Sequence, residues 1–376
     1  MSRPVVGLRL SDRQRLNWLR LIRTPNVGPA SFRDLVNRFG SAEAALEILP
    51  ELTLSGGATR MVRIPAVAEI EAEMQAARRA GARFVCIGEP DYPPLLKHMD
   101  NPPPVLAMKG PGAVFALPTV AIVGARNASI AGIKMARMLA AELGREGYAV
   151  VSGLARGIDT AAHQSSLPTG TIAVLAGGLD QVYPPENAGL SDEIAERGAV
   201  ISEMPFGWQP RAQDFPRRNR LVAGLAYGLV VVEAAERSGS LISARLATEM
   251  GRLVFAVPGS PLDPRARGTN GLIKDGATLV TETADILNAL KPLIGTRFRS
   301  NTSLEEPSDL SATPPPSENE RERVIESLGQ APVNIDEIIR HTGLHPAQVA
   351  MVLLELDLAG RLERHAGGFV SLIFSH

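Results

Sequence analysis

At 376 residues, 45% of them apolar, the chain has the length for two or three domains and for a sizeable buried core. Its 39 Lys and Arg nearly cancel 40 Asp and Glu, so bulk charge gives no case for a polyanion partner and only a local cluster could. A single cysteine, Cys86, excludes an intramolecular disulfide and any multi-cysteine zinc site. Lying in the apolar run 84–87, it reads as a small buried residue, since a reactive thiol needs exposure and positive neighbours. The first residues lack a long apolar segment, and no stretch reaches the roughly 18 apolar residues of a membrane span. A cytoplasmic protein without disulfides is expected.

Residues 1–80 read as short helices. Apolar residues recur at threes and fours, as at Leu16, Leu19, Leu21 and Ile22 and again at Phe32, Leu35, Val36 and Phe39. The prediction is a small helical domain of SAM or helix-hairpin-helix type. Between its first two helices, Pro25-Asn26-Val27-Gly28-Pro29 is similar to a hairpin whose exposed N–H groups can meet a DNA phosphate. A purely structural turn fits the same residues.

From 82 to 292 the pattern changes to continuous apolar runs separated by helical stretches. The runs begin at Val120, Ala149, Thr171, Ala199, Leu229 and Leu253. Strands apolar on both faces belong to a parallel sheet. Helices fit between them, the clearest over 129–145 with Ile133, Ala136, Leu139, Ala140 and Leu143 on one face. The alternation predicts an α/β, Rossmann-like, doubly wound parallel sheet. Residues 293–318 are polar and proline-rich and read as a flexible linker. Residues 319–376 then give three helical segments, one led by an Asn334/Glu337 capping box, and a β-hairpin, the order of a winged helix.

In a doubly wound sheet, ligands gather at the carboxyl ends of the strands, where glycine turns and helix N-termini attract anions. Three such turns occur: Gly124-Ala125-Arg126, Ser152-Gly153-Leu154-Ala155-Arg156-Gly157 and Ser238-Gly239-Ser240. Each glycine could instead serve packing alone, but three turns with two arginines together point to a phosphate-rich ligand. Neither a dinucleotide fingerprint nor a Gly-x-x-x-x-Gly-Lys-Ser/Thr loop is present, so nicotinamide cofactors and ATP hydrolysis are disfavoured. No His, Cys or carboxylate group has metal-ligand spacing, and neither metal nor cofactor is expected.

The densest positive cluster, residues 211–220, carries Arg211, Arg217, Arg218 and Arg220 against one aspartate, with Asn219 between them. Phe215 and the nearby Trp208 and Phe206 interleave with the charges, as in single-strand binders where bases stack on rings and phosphates meet arginine. Pairing of some arginines with sheet-edge carboxylates such as Glu203 and Glu233 is the alternative. Asp159 and His163, four apart, share a helix face; a helix-capping aspartate beside a structural histidine is preferred to an acid/base pair.

The ordered motifs Asp91-Tyr92-Pro93-Pro94, 120–126, 151–159 with His163, 177–184 with Asn187, Ser202-Glu203, 215–220, 238–243, Val257-Pro258-Gly259 and 268–273 closely resemble the DprA/Smf family, called DNA-processing or DNA-protecting protein A. The resemblance covers nearly the whole chain. It implies a non-enzymatic protein that binds single-stranded DNA entering during natural transformation, shields it, loads RecA and dimerises through the Rossmann-like domain. Carried over by position, the phosphate-holding residues would be Gly124, Arg126, Ser152, Gly153, Arg156, Gly157, Arg217, Arg218, Asn219, Arg220, Ser238, Gly239 and Ser240. Pro185 departs from the pattern, standing where many relatives have a basic residue.

The winged-helix segment holds five arginines against eight acidic residues over 319–376, and its would-be recognition helix from Pro346 has no Lys or Arg. Groove-reading helices need those side chains, so protein contact or autoregulation is expected of this module. Two competing readings stand. A nucleoside-phosphate hydrolase of the lysine-decarboxylase-like class shares the topology, but its Pro-Gly-Gly-x-Gly-Thr motif is broken here into Pro258-Gly259-Ser260 and Gly268-Thr269-Asn270. A scaffold would pair Arg126, Arg156 and Arg218 with protein carboxylates.

Overall fold

The computed structural model describes residues 9–294, 315–365 and 367–373. Four helices open the chain: α1 (Asp12–Ile22), α2 (Pro29–Phe39), α3 (Ala42–Ser55) and α4 (Val67–Arg79). The first starts at a reciprocal Ser11/Gln14 capping box, and the third is capped by Ser41. Leu21, Phe32, Leu35, Ala45 and Leu49 form the buried face of α1–α3; Leu21, Phe32 and Leu35 are among the periodic positions of the sequence.

A nine-stranded sheet follows: β1 (Ala82–Cys86), β2 (Val105–Lys109), β3 (Thr119–Val123), β4 (Ala149–Ser152), β5 (Thr171–Val174), β6 (Ala199–Ser202), β7 (Gly228–Val231), β8 (Leu253–Ala256) and β9 (Thr278–Leu279). The order β1-β2-β6-β5-β4-β3-β7-β8-β9 is parallel from β6 to β9. At one edge β2 pairs antiparallel with β6, and β1 with β2. These two strands extend the parallel sheet that the sequence predicts. Cys86 is fully buried on β1.

Alternation along β3 shows why the strands read as continuous apolar runs. Val120 and Ile122 face one core, with α5 (Ile130–Arg145), α6 (Ile158–Ser166) and α11 (Thr283–Ile294). Ala121 and Val123 face the other, with α8 (Asp214–Gly224) and α9 (Gly239–Glu249). Both faces are covered, as a parallel sheet requires. Leu139 and Leu143 of α5 are fully buried, each contributing about 1.5–3 kcal/mol by leaving water. The strand order reverses direction between β3 and β7, and crevices at such a point face the carboxyl ends of the strands. Helices α7 (Ala188–Arg197) and α10 (Arg267–Lys274) complete the layers.

The expected linker 293–318 falls mostly outside the described residues; α11 continues to Ile294, and residues 315–317 lead into the next helix. The C-terminal module comprises α12 (Glu318–Glu326), β10 (Val333–Asn334), α13 (Ile335–Thr342), α14 (Pro346–Leu358), β11 (Leu362–His365) and β12 (Phe369–Leu372). Its small sheet has the order β10-β12-β11, all antiparallel. Asn334 caps α13 by accepting from Asp336 N at 2.9 Å, without the reciprocal bond from Glu337 that the sequence spacing suggests.

The chain divides into two compact units, one of residues 1–9 and 72–298, the other of residues 10–71 and 299–376. The first and last modules thus belong to one unit. Met351, Leu354 and Leu358 of α14 are buried in the same cluster as Leu21, Leu35 and Leu49.

Candidate functional site

The three predicted turns follow the carboxyl ends of the neighbouring strands β4, β3 and β7, and α8 reaches the same edge through Arg218, which meets the ends of β4 and β5. The glycines there answer first to packing. A Cβ on Gly124 would lie 2.7 Å from Ile158 Cγ1, and one on Gly153 would lie 2.0 Å from Arg218 Nη1. Gly157 has φ +74°, and a Cβ there would meet Ala125 O at 2.4 Å.

Several backbone N–H groups in and beside these turns also find acceptors within the protein. Asp159 Oδ2 accepts from Gly153 N at 3.1 Å and Ala155 N at 3.3 Å. Glu233 accepts from Ser129 N at 2.9 Å and from its hydroxyl at 2.5 Å. Ser152 donates its hydroxyl to Ile122 O at 2.6 Å and is fully buried, so it braces β4 on β3 and is not a free phosphate donor. At the third turn, Ser238 Oγ accepts from Ser240 N at 3.3 Å as the cap of α9, and Asn219 Nδ2 donates to Gly239 O at 3.3 Å.

The arginines divide into two groups. Arg217 Nε donates to Glu203 Oε1 at 2.9 Å, and Arg220 pairs with the other oxygen of the same buried carboxylate. These two are the arginines for which the sheet-edge pairing alternative holds. Glu203 directly follows β6, where one carboxylate can brace two successive turns of α8. Arg218 is only 6% exposed; its Nη1 donates to the carbonyls of Gly153 and of Val174, the latter at 2.7 Å, so it ties together the ends of β4 and β5. Burial lowers its pKa to about 10, opposed by the nearby Asp159 carboxylate, while Arg126 adds repulsion.

Arg126 and Arg156, like Arg217, are exposed. Arg156, its side chain 61% exposed, is ion-paired with Glu186, and this contact raises its pKa. Arg126 lies over the Phe215 ring, 5.2 Å from its centroid, and Arg218 approaches the same ring at 6.0 Å. Tyr183, 49% exposed, meets Phe215 edge-on at 5.6 Å. The motif at 177–184 contains Tyr183, but sequence spacing alone does not single it out, because its neighbour Phe215 is 32 positions away. Of the other aromatic residues, Trp208 lies under Arg211 at 4.6 Å and donates Nε1–H to Asp214 at 2.9 Å. Phe206 turns to Phe84, 6.2 Å away.

Asp159 and His163 do not face each other as acid and base. Asp159 caps its turn, and burial raises its pKa. His163 is fully buried, with Nδ1 2.7 Å from Thr171 Oγ1, and the Thr171 hydroxyl donates to Val150 O at 2.9 Å. Since that hydroxyl proton is committed, Nδ1–H is the donor to Thr171. Burial lowers the His163 pKa from 6.5 to about 3. The unfolded chain therefore binds a proton between about pH 6.5 and 3 that the folded protein does not. The stability contribution is complete above 6.5 and is lost as pH falls, by up to about 1.4 kcal/mol per unit. Urea denaturation at pH 7.5 and 5.5 is expected to show this slope in the wild type and to lose it in His163→Gln. An equal slope in both would assign the acid sensitivity elsewhere; Asp159 acts in the opposite direction in both proteins.

Among the described residues no group of three or more His, Cys, Asp or Glu is placed to hold a metal, and no helix is long and apolar enough to cross a membrane.

The chain thus combines a Rossmann-like sheet that carries an arginine–aromatic cluster at its carboxyl edge with a helical module before it and a winged helix after it in sequence, the domain order of a DNA-processing class of protein. Residues 83–291 match the family model of DNA recombination-mediator protein A, residues 12–76 the DprA-like N-terminal HHH domain and residues 308–368 the DprA winged helix domain. The chain belongs to the DprA/Smf family. It is 30% identical to protein Smf of Synechocystis, over 95% of this chain and 98% of that one. The X-ray structure of DNA processing protein A from Streptococcus pneumoniae is similar with a TM-score of 0.57 and 35% identity, over 74% of this chain and 93% of that one. DNA processing protein A of Helicobacter pylori, described for its single-stranded DNA binding mode, is similar with a TM-score of 0.51 and 31% identity, over 56% of this chain and 96% of that one.

Proposed function

We propose that the protein binds single-stranded DNA at the carboxyl edge of the sheet, with Arg126 and Arg156 meeting phosphates and Phe215 and Tyr183 stacking on bases. The observation that carries this is the approach of two guanidinium groups, Arg126 and Arg218, to one phenyl ring at 5.2 and 6.0 Å. Two like charges gathered there favour an anion. The Nε of Arg218, buried and without an acceptor among the described residues, supports the same reading. Because the N–H groups of Gly153, Ala155 and Ser129 are already engaged by carboxylates, side chains carry the main part of the contact.

Family membership supports the finer reading: shielding of strands that enter during transformation, delivery to RecA, a homodimer through the sheet domain, and a cytoplasmic location. The test is a titration of fluorescent oligo-dT and matched duplex at two salt concentrations. Wild type is expected to prefer the single strand, and Arg126→Ala to flatten the salt dependence by about 0.7 in log–log slope for one lost phosphate contact. An unchanged slope would remove Arg126 from the interface. A nucleotide-hydrolysis assay run beside it separates the enzyme reading, which predicts turnover that the same variant abolishes.

A further inference from the structure

Helix α14 occupies the position of a recognition helix, yet it is apolar on two faces. Val349, Val352, Leu353 and Leu356 enter the core of the winged helix, and Met351, Leu354 and Leu358 enter the core of α1–α3. A helix apolar all round is a core helix. Its polar residues are held as well: Glu355, almost fully buried, takes a two-pronged contact from Arg321 at 2.8 and 2.9 Å.

The helix-hairpin-helix turn is engaged with the same helix. Asn26 Nδ2 donates to Leu358 O at 3.1 Å, and Ser31 Oγ donates to Asp357 Oδ2 at 3.1 Å. Val27 N and Gly28 N bond within the turn, to Thr24 O and Ser31 Oγ. Around this seam Arg38 reaches Ala347 O, Arg361 reaches Gly56 O, and Arg364 lies between Asp34 and Asp357. The two backbones touch at Gly56, where a Cβ would lie 2.0 Å from Glu355 O.

We propose that the N-terminal helical module of this chain is the resident ligand of its winged helix. The surfaces through which each module would otherwise meet nucleic acid close on each other, so the terminal unit acts as a protein clasp and not as a duplex reader. This goes beyond the single-strand reading of the sheet domain and does not depend on it.

Gly56 provides a local probe. Its φ of −72° and ψ of −2° suit alanine, so Gly56→Ala would be neutral in an undocked module and a wedge in the docked one. A specific protease site placed between residues 303 and 304 of the full chain, followed by cleavage, leaves docking as the bond between the end modules. The C-terminal fragment is expected to co-elute with the rest of the protein in size exclusion, without binding labelled duplex. In Gly56→Ala, retention weakens by about tenfold or more. Arg364→Glu weakens it too, and adding Asp34→Arg recovers part of the loss. Free separation of the wild-type fragments, equal retention in Gly56→Ala, or duplex binding by the docked terminal unit would each overturn the proposal. Oligo-dT binding by the sheet domain is measured on the same samples, so that loss of that activity is read separately.

Discussion

Arg218→Met is expected to lower the unfolding free energy of the sheet domain by about 3–5 kcal/mol, measured by urea denaturation at neutral pH. The guanidinium donates to carbonyls at the ends of two neighbouring strands, and methionine of similar length leaves both without that donor. It also leaves Asp159, fully buried, without the nearby positive charge that favours its ionised form. Replacing a whole buried pair by apolar groups can be neutral, whereas removing one member strands the other. Asp159→Asn in the Arg218→Met background is therefore expected to recover part of the loss. A change below about 1 kcal/mol, within the ordinary range of substitutions, would mean that the strand ends hold themselves. Because Arg218 organises the fold, a loss of DNA binding in its variants does not identify it as a contact; Arg126 is the cleaner probe.

Phe215→Ala is expected to weaken oligo-dT binding by about 5- to 150-fold, the range for one lost stacking platform. Phe215 is half-buried and sits between Arg126 and Tyr183, so its removal takes away a ring face and the support of both neighbours. The signature separates it from the Arg126 variant: affinity falls while the salt slope stays close to that of the wild type, since no phosphate contact is lost. A reduced slope at equal affinity would make the ring a positioning element for Arg126 and not a platform.

The parallel strands were legible because burial on both faces removes polar residues from them, as in 120–123. Strands β1 and β2 were harder to read, because they pair antiparallel at the sheet edge and no α-helix separates them, only a connection with Pro93, Pro94 and the Pro102-Pro103-Pro104 run. At the candidate site, the sequence reads the arginines of 211–220 as a cluster just before a helix, whereas α8 starts at Asp214 and carries Arg217, Arg218 and Arg220 itself; nor can spacing sort them. What divides Arg217 and Arg220 from Arg126 is Glu203, a partner on another strand. The glycine turns were visible too, but Asp159 takes the N–H groups of Gly153 and Ala155, and Glu233 that of Ser129, through contacts that only the tertiary fold creates. The winged helix carried a partial signal: a would-be recognition helix without Lys or Arg pointed away from DNA, but spacing did not show that Met351, Leu354 and Leu358 are buried with α1–α3.

The joining of the first and last modules has a consequence during synthesis. Asn26 meets Leu358, 332 positions further on, so at about 5–20 residues per second the N-terminal helices leave the ribosome roughly 20–60 s before their covering helix exists. For that interval the apolar face around Leu21, Leu35 and Leu49 has no α14 against it, while the sheet domain, whose strands lie between residues 82 and 279, can already collapse. The terminal unit is thus the last part of the chain to close. Chains stopped short of α14 are expected to depend on chaperones in a way that full-length chains do not.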